Sequence, residues 1–136
     1  PLLDGHRRRN AGHAVHVRGY FQQFGDGRVE LRDIFFVRGH QDGFDGILVG
    51  FCHVLVSINP HYSALLAVTE SLFVAAAHRG TGAGLALLRE AEAIARQRGA
   101  VGLLVSAPTG GSLAAVLERS KGFRETNRAF LQDLRP

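Results

Sequence analysis

Apolar residues along this chain gather in runs whose spacing sharpens after about residue 45. Residues 47–58 are dominated by Val, Leu, Ile and Phe, and Asp45-Gly46 just before them is a turn signal. Asn59-Pro60 breaks the run, and residues 65–74 form a second one. The pair predicts an antiparallel hairpin joined through residues 57–63. The second run is apolar at successive positions, which predicts a central strand covered on both faces. Over residues 85–98 the period becomes helical: Leu87, Leu88, Ala91, Ile94 and Ala95 mark one face, and Arg89, Glu90, Glu92, Arg96 and Gln97 the other. Gly99 is a helix stop. Residues 101–105 predict a short buried strand parallel to the strand before the helix, reached by a right-handed crossover. Pro108-Thr109-Gly110-Gly111 opens a second helix from about Ser112, with Leu113, Val116 and Leu117 inward and Gly122 closing it. Residues 123–134 predict one or two edge strands.

The first 46 residues are less regular. Residues 14–24 suit a short helix or a strand, and residues 29–37, with Ile34-Phe35-Phe36-Val37, suit a strand. Nothing in this part points to chemistry.

A chain of 136 residues is one domain's length, and its 46% hydrophobic content excludes a disordered or collagen-like chain. The single Cys52 excludes an internal disulfide and fits a reducing, cytoplasmic setting. No apolar run is long enough to span a bilayer as a helix, and no secretory signal pattern is present, so no membrane role is expected. The chain begins at Pro1 and contains no Met, as a processed, trimmed or incomplete start would. Fifteen Arg and one Lys give a net charge of +4, but only Arg7-Arg8-Arg9 form a cluster, expected in a terminal tail. A mild, dispersed excess suits a small anionic ligand better than nucleic acid.

One motif carries chemistry. Arg79-Gly80-Thr81-Gly82-Ala83-Gly84 stands between a predicted strand and a predicted helix. That arrangement aims backbone N–H groups and the positive end of a helix dipole at one point, an anion site suited to phosphate or pyrophosphate. A Cβ at Gly82 or Gly84 would hold a diphosphate away from the backbone. The spacing departs from a dinucleotide fingerprint, because Leu85 stands where the last Gly belongs. It departs from a P-loop too, because no Lys-Ser/Thr follows. The plain alternative is a flexible glycine turn with no ligand.

Residues 70–85, reading Glu-Ser-Leu-Phe-Val, three Ala, then His-Arg-Gly-Thr-Gly-Ala-Gly-Leu, resemble the acetyl-CoA loop of the GNAT superfamily of N-acetyltransferases. Residues 117–123, ending Lys-Gly-Phe, resemble that family's last helix. The resemblance covers about residues 46–136, and residues 1–45 match nothing in it. It implies a mixed α/β fold of α+β type: a mostly antiparallel central sheet with one parallel β–loop–α–β unit and splayed central strands, all in one domain. It also implies acetyl-CoA as co-substrate, with no metal. Leu72, Phe73 and Val74 would line the pantetheine and lend backbone groups to the acetyl carbonyl. His78, Arg79, Gly80, Thr81, Gly82, Ala83, Gly84 and Leu85 would hold the diphosphate, Arg79 adding a charge-assisted contact. Residues 72–74 and 103–105 would splay to admit the cofactor. The sequence departs from the family in the last helix. The Asn and the thiolate-protonating Tyr expected there fall at about Gly111 and at Glu118.

An amine must lose a proton before it attacks a thioester, so a base is sought. Glu70 is the first candidate, because a carboxylate on an apolar central strand is costly to bury without a purpose. Strand alternation places it on the face of Leu72 and Val74. The plain alternative is a solvated or salt-bridged Glu. His61 and Tyr62 at the hairpin turn could read an acceptor or relay a proton, or be only a polar turn. Ser112 and Thr109 read as N-caps, though either hydroxyl could replace the absent Tyr. His53 reads as a core or edge histidine, and Cys52 as a small buried hydrophobe.

The leading expectation is direct acetyl transfer from acetyl-CoA to a primary amine on a small molecule or peptide. No acidic cluster on the hairpin favours a polycationic acceptor. A catalytically weak acyl-CoA-binding module is the second reading, kept alive by the missing Tyr, and a nucleic-acid-binding domain the third. A homodimer is left open.

Overall fold

The computed structural model describes residues 2–3, 7–10, 13–23, 29–41 and 44–136, with side chains for Asp33, Ile34 and residues 48–136. Two compact units emerge, residues 1–105 and 106–136. The first holds β1 (Leu2–Leu3), β2 (Arg7–Asn10), β3 (His13–Gln23), β4 (Val29–Gln41), β5 (Phe44–Asn59), β6 (Ala64–Val74), a 3-10 turn (Ala76–His78), α1 (Ala83–Gln97) and β7 (Gly102–Val105). The second holds α2 (Ser112–Arg119).

The seven strands make one mixed sheet in the order β1-β3-β4-β5-β6-β7, with β2 also paired to β3. Every pairing is antiparallel except β6 with β7. Of residues 14–24, open between helix and strand, those up to Gln23 fall to strand, as Val15, Val17, Tyr20 and Phe21 favour, and Phe24 lies outside the described residues. The Arg7–Arg9 cluster is no tail: it lies in β2 and pairs with Ala14–His16 of β3, since a ladder satisfies backbone groups whatever the side chains. The predicted hairpin forms with a shorter connection, residues 60–63, and Ser63 takes a left-handed φ of 50° to close it.

α1 packs its apolar stripe on one face of the sheet. Ala83, Leu87, Ala91, Ile94 and Ala95 join Val49, Cys52, Val54, Val56 and Ala67 in one core. Glu90, expected on the polar face, is buried at 4% exposure. Its spacing explains this, because positions 83, 87, 90 and 94 follow one another along the same stripe. The helix ends as Gly99 predicts: with φ +79° there, Ala100 N–H reaches Ala95 C=O at 2.9 Å and Gly99 N–H reaches Arg96 C=O at 3.1 Å. Just before that Gly, Arg98 grips Asp33 of β4 with two hydrogen bonds, 2.9 and 3.2 Å. Asp33 is 1% exposed. Sequence reasoning missed this tie, because the partners stand 65 residues apart.

Two further expectations fail. β6 is not covered throughout: Leu66, Ala67 and Thr69 are buried, whereas Glu70, Ser71 and Phe73 are exposed. Residues 123–134 form no strand, and Phe130, Leu131 and Leu134 lie exposed. Five consecutive polar residues, Arg124 to Arg128, interrupt the alternation that a strand needs.

Candidate functional site

β6 changes character at Glu70. On β5, Val54 pairs with Thr69 and His53 with Ser71, so Glu70 is the extra residue of a β-bulge. The bulge reverses the parity of the strand. Leu65 and Ala67 face the α1 core before it, and Leu72 and Val74 face that core after it. Glu70 therefore does not share the face of Leu72 and Val74, as unbroken alternation predicted. Its carboxylate lies over His53 on the opposite face, Oε2 standing 3.3 Å from Nδ1. Phe51 and Phe73 pack beside that pair with ring centroids 5.9 Å apart. Nor is the carboxylate buried: 35% of its side chain is exposed.

The parallel ladder of β6 with β7 runs from Leu66↔Gly102 to Thr69↔Val105 and stops there. Residues 103–105 thus pair with Ala67–Thr69, and residues 72–74 have no partner on β7. Thr69 Oγ1 donates to Leu104 C=O at 3.4 Å across the last step. From Glu70 to Val74, β6 runs on past the end of its parallel partner.

At Val74 the chain enters the glycine loop. Ala75 N–H still bonds Val49 C=O at 2.8 Å, and the 3-10 turn then carries the chain to Arg79. Arg79 Nε donates back to Val74 C=O at 3.0 Å, and Thr81 Oγ1 to His78 C=O at 2.6 Å, so the loop is tied to itself and to the strand end. Gly82 is the N-cap of α1, with φ +90° and no side-chain cap. The first helical bond is Ala86 N–H to Gly82 C=O, so the N–H groups of Ala83, Gly84 and Leu85 emerge from the helix end without intrahelical partners. Such donors and the positive end of a helix dipole suit an anion, and Arg79 stands three residues before the N-cap. Gly82 is required by its left-handed φ. Gly84 is helical, and a Cβ there would meet Val74 Cγ2 at an ordinary 3.7 Å.

His61 and Tyr62 are exposed at the β5–β6 turn, their rings edge to face at 5.0 Å and His61 N–H held by Asn59 Oδ1 at 3.0 Å. Six strand residues, about 20 Å, separate the start of β6 from Glu70. Ser112 is the exposed first residue of α2, and the N-cap is Gly111 with no side-chain cap, so neither Ser112 nor Thr109 caps the helix. Glu118, at the position of the missing Tyr, is exposed near the end of α2. Cys52 is fully buried, and burial pushes its thiol up to about 12. Among the described residues, no group of three or more His, Cys, Asp or Glu side chains is arranged to hold a metal.

A strand, a glycine-rich loop and a helix laid against a mixed sheet make an α/β domain, and its family follows from comparison with known proteins. The Acetyltransferase (GNAT) domain family matches residues 32–125, and the chain belongs to that family. The match begins within β4, earlier than the loop resemblance suggested. No curated protein matches the chain. Among solved structures, a Pyrococcus furiosus protein assigned as an acetyl transferase shares 20% identity over 76% of this chain and 66% of its own, with a TM-score of 0.65. AAC(6')-Iy, solved with the bisubstrate analogue CoA-S-monomethyl-acetylneamine, shares 18% over 77% and 70%, with a TM-score of 0.60. Glucosamine-6-phosphate N-acetyltransferase from Arabidopsis thaliana shares 10% over 76% and 67%, also at 0.60. The chain spans about two thirds of the length of these proteins, and the likeness is one of fold. Among the described residues, no helix is long and apolar enough to cross a membrane.

Proposed function

We propose that this chain is an N-acetyltransferase that moves an acetyl group from acetyl-CoA to a primary amine on a small molecule or peptide. The carrying observation is the continuity of the uncapped α1 start with the stretch of β6 beyond its parallel ladder. From Val74 back to Glu70 is four residues, about 13 Å of strand. A pantetheine arm has a dozen chain atoms between phosphate and sulfur, also about four residues' length, ~13 Å. A diphosphate seated on the N–H groups of residues 83–85 would thus place the thioester level with the bulge at Glu70. Leu72, Phe73 and Val74 would run beside the arm and supply backbone groups to it. Arg79 would neutralise charge with the four guanidinium N–H donors other than Nε–H.

Bound acetyl-CoA supplies an acetyl thioester; the amine nitrogen forms the new C–N bond as the C–S bond breaks, and CoA leaves as its thiolate, which takes a proton from water. Glu70 takes the proton that the amine must lose, and its partial exposure lets it pass that proton to water. His61 and Tyr62, at the hairpin turn, could meet only the far end of a long acceptor. A cytoplasmic site of action fits the reduced, buried Cys52. The replacement of the expected Tyr by Glu118 supports one other reading, an acyl-CoA-binding module with weak turnover.

Thiol release with a panel of amines tests the reading, and Glu70→Gln tests the base. Glu70→Gln should keep acetyl-CoA affinity within a few fold and lower kcat/KM by ~10²-fold or more with an amine of high pKa. Full turnover by Glu70→Gln with such an amine would make Glu70 structural. Acetyl-CoA binding without turnover of any amine would favour the binding module.

A further inference from the structure

The bulge that turns Glu70 away from the α1 core also sets it against His53. In a regular ladder one β6 residue would oppose His53, but here the step from Thr69 to Ser71 carries Glu70 as well. His53 sits between Ile34 on β4 and Ser71 on β6. Its side chain is only 16% exposed, whereas the Glu70 side chain is 35% exposed. An enclosed imidazole thus underlies a carboxylate at the solvent margin, with Nδ1 and Oε2 3.3 Å apart.

An ionised carboxylate only accepts hydrogen bonds, so the ring nitrogen that faces it must carry hydrogen. That assigns the proton to Nδ1 from the contact itself. A free Glu side chain samples several rotamers, few of which would direct an oxygen at an incoming amine. We propose that His53 is a positioning residue for the acetyl-transfer base: its Nδ1–H holds Oε2 of Glu70 and so fixes the rotamer from which the carboxylate takes the proton of the amine. The proposal rests on Glu70 acting as the base, and it adds a role for a residue that the sequence suggested only as a core or edge histidine. The contact itself depends on the bulge, so no motif around His53 announces it.

The test combines kinetics with paired substitutions. His53→Leu should lower kcat by ~10-fold or more while acetyl-CoA affinity by calorimetry and the amine KM stay within about three-fold, since positioning acts on the transition state. In the Glu70→Gln background, His53→Leu should cost almost nothing further, because groups acting as a unit are not additive. His53→Asn, whose side-chain N–H can stand near the place of Nδ1–H, should recover most of the rate. His53→Gln, which places its N–H nearer the far ring nitrogen, should not. That pair decides the matter even if the Leu variant does not fold. Equal rates for Asn and Gln, or a His53→Leu loss that persists undiminished beside Glu70→Gln, would overturn the proposal. Loss of turnover in Glu70→Gln with a silent His53→Leu would overturn the proposal alone, whereas full turnover in Glu70→Gln would remove the base reading beneath it.

Discussion

Replacing Arg98 with Ala should be the most damaging change away from the candidate site. The guanidinium grips Asp33 through Nη2 to Oδ1 at 2.9 Å and Nε to Oδ2 at 3.2 Å. The Asp33 side chain is 1% exposed and that of Arg98 23%. Hydrogen bonding to Asp33 raises the Arg98 pKa above its already high ordinary value, outweighing the opposing effect of desolvation. Removing the guanidinium leaves a carboxylate enclosed between β4 and the end of α1 with its bidentate partner gone, which costs ~3–5 kcal/mol. Part of Arg98 reaches water, so the lower figure is the better expectation. For a chain of this size each kcal/mol moves the Tm by about 4 °C, giving a fall of ~10–15 °C. The surface pair Arg96–Glu92, with side chains 77% and 51% exposed, supplies the control. The same chemistry there should be worth under ~0.5 kcal/mol. Thermal melts of Arg98→Ala, Arg96→Ala and the double variant Asp33→Ala/Arg98→Ala measure all three. The double variant should recover part of the loss, since the stranded charge is gone. If Arg98→Ala costs no more than Arg96→Ala, the buried pair holds nothing and the reasoning fails.

Two further outcomes follow from the same geometry. Burial lifts the Cys52 thiol to about 12 from an ordinary 9.0, so the folded state favours the neutral form. Its contribution to stability is fully present below about pH 9 and is lost between about pH 9 and 12, by up to ~1.4 kcal/mol per pH unit. Urea unfolding at pH 8 and pH 10 should show that loss in the native chain and not in Cys52→Ala; equal losses would remove the thiol as the cause. Gly84→Ala should fold at least as well as the native chain, gaining up to ~1 kcal/mol of helix propensity, because the new Cβ meets Val74 at ordinary distance. Its acetyl-CoA affinity by calorimetry should nonetheless fall, because the same Cβ holds the diphosphate off the backbone, and undiminished affinity in a folded protein would mean that the diphosphate keeps clear of that Cα.

Much of the fold was legible from local pattern. The hairpin, the crossover, both helices and the Gly99 stop all rest on periodicity and glycine placement, which act over a few residues. What escaped was set by long-range register. Residues 14–23 take the strand because β4 offers a ladder from Ala14↔Arg38 to Gln23↔Val29. Glu70 was found by its type, a carboxylate in an apolar run, but its face was misread because one inserted residue reverses strand parity, and nothing near it in sequence marks a bulge. Asp33 carries the same lesson: its partner Arg98 stands 65 residues away, so nothing among its neighbours in sequence marks its burial. The glycine loop was legible because its chemistry is backbone chemistry, written in the residues that lack a Cβ.

The central claim is that the start of α1 and the loop before it seat the diphosphate of acetyl-CoA. Isothermal titration of acetyl-CoA into the native chain and into Gly82→Val tests it directly, with circular dichroism confirming the variant's fold. The account predicts saturable 1:1 binding to the native chain that CoA displaces and that NAD and ATP displace poorly. It predicts binding at least ~10-fold weaker in Gly82→Val, because a branched residue at φ +90° must distort the N-cap that orients the donors. Undiminished affinity in a folded Gly82→Val protein, or no binding of acetyl-CoA to the native chain, would contradict it.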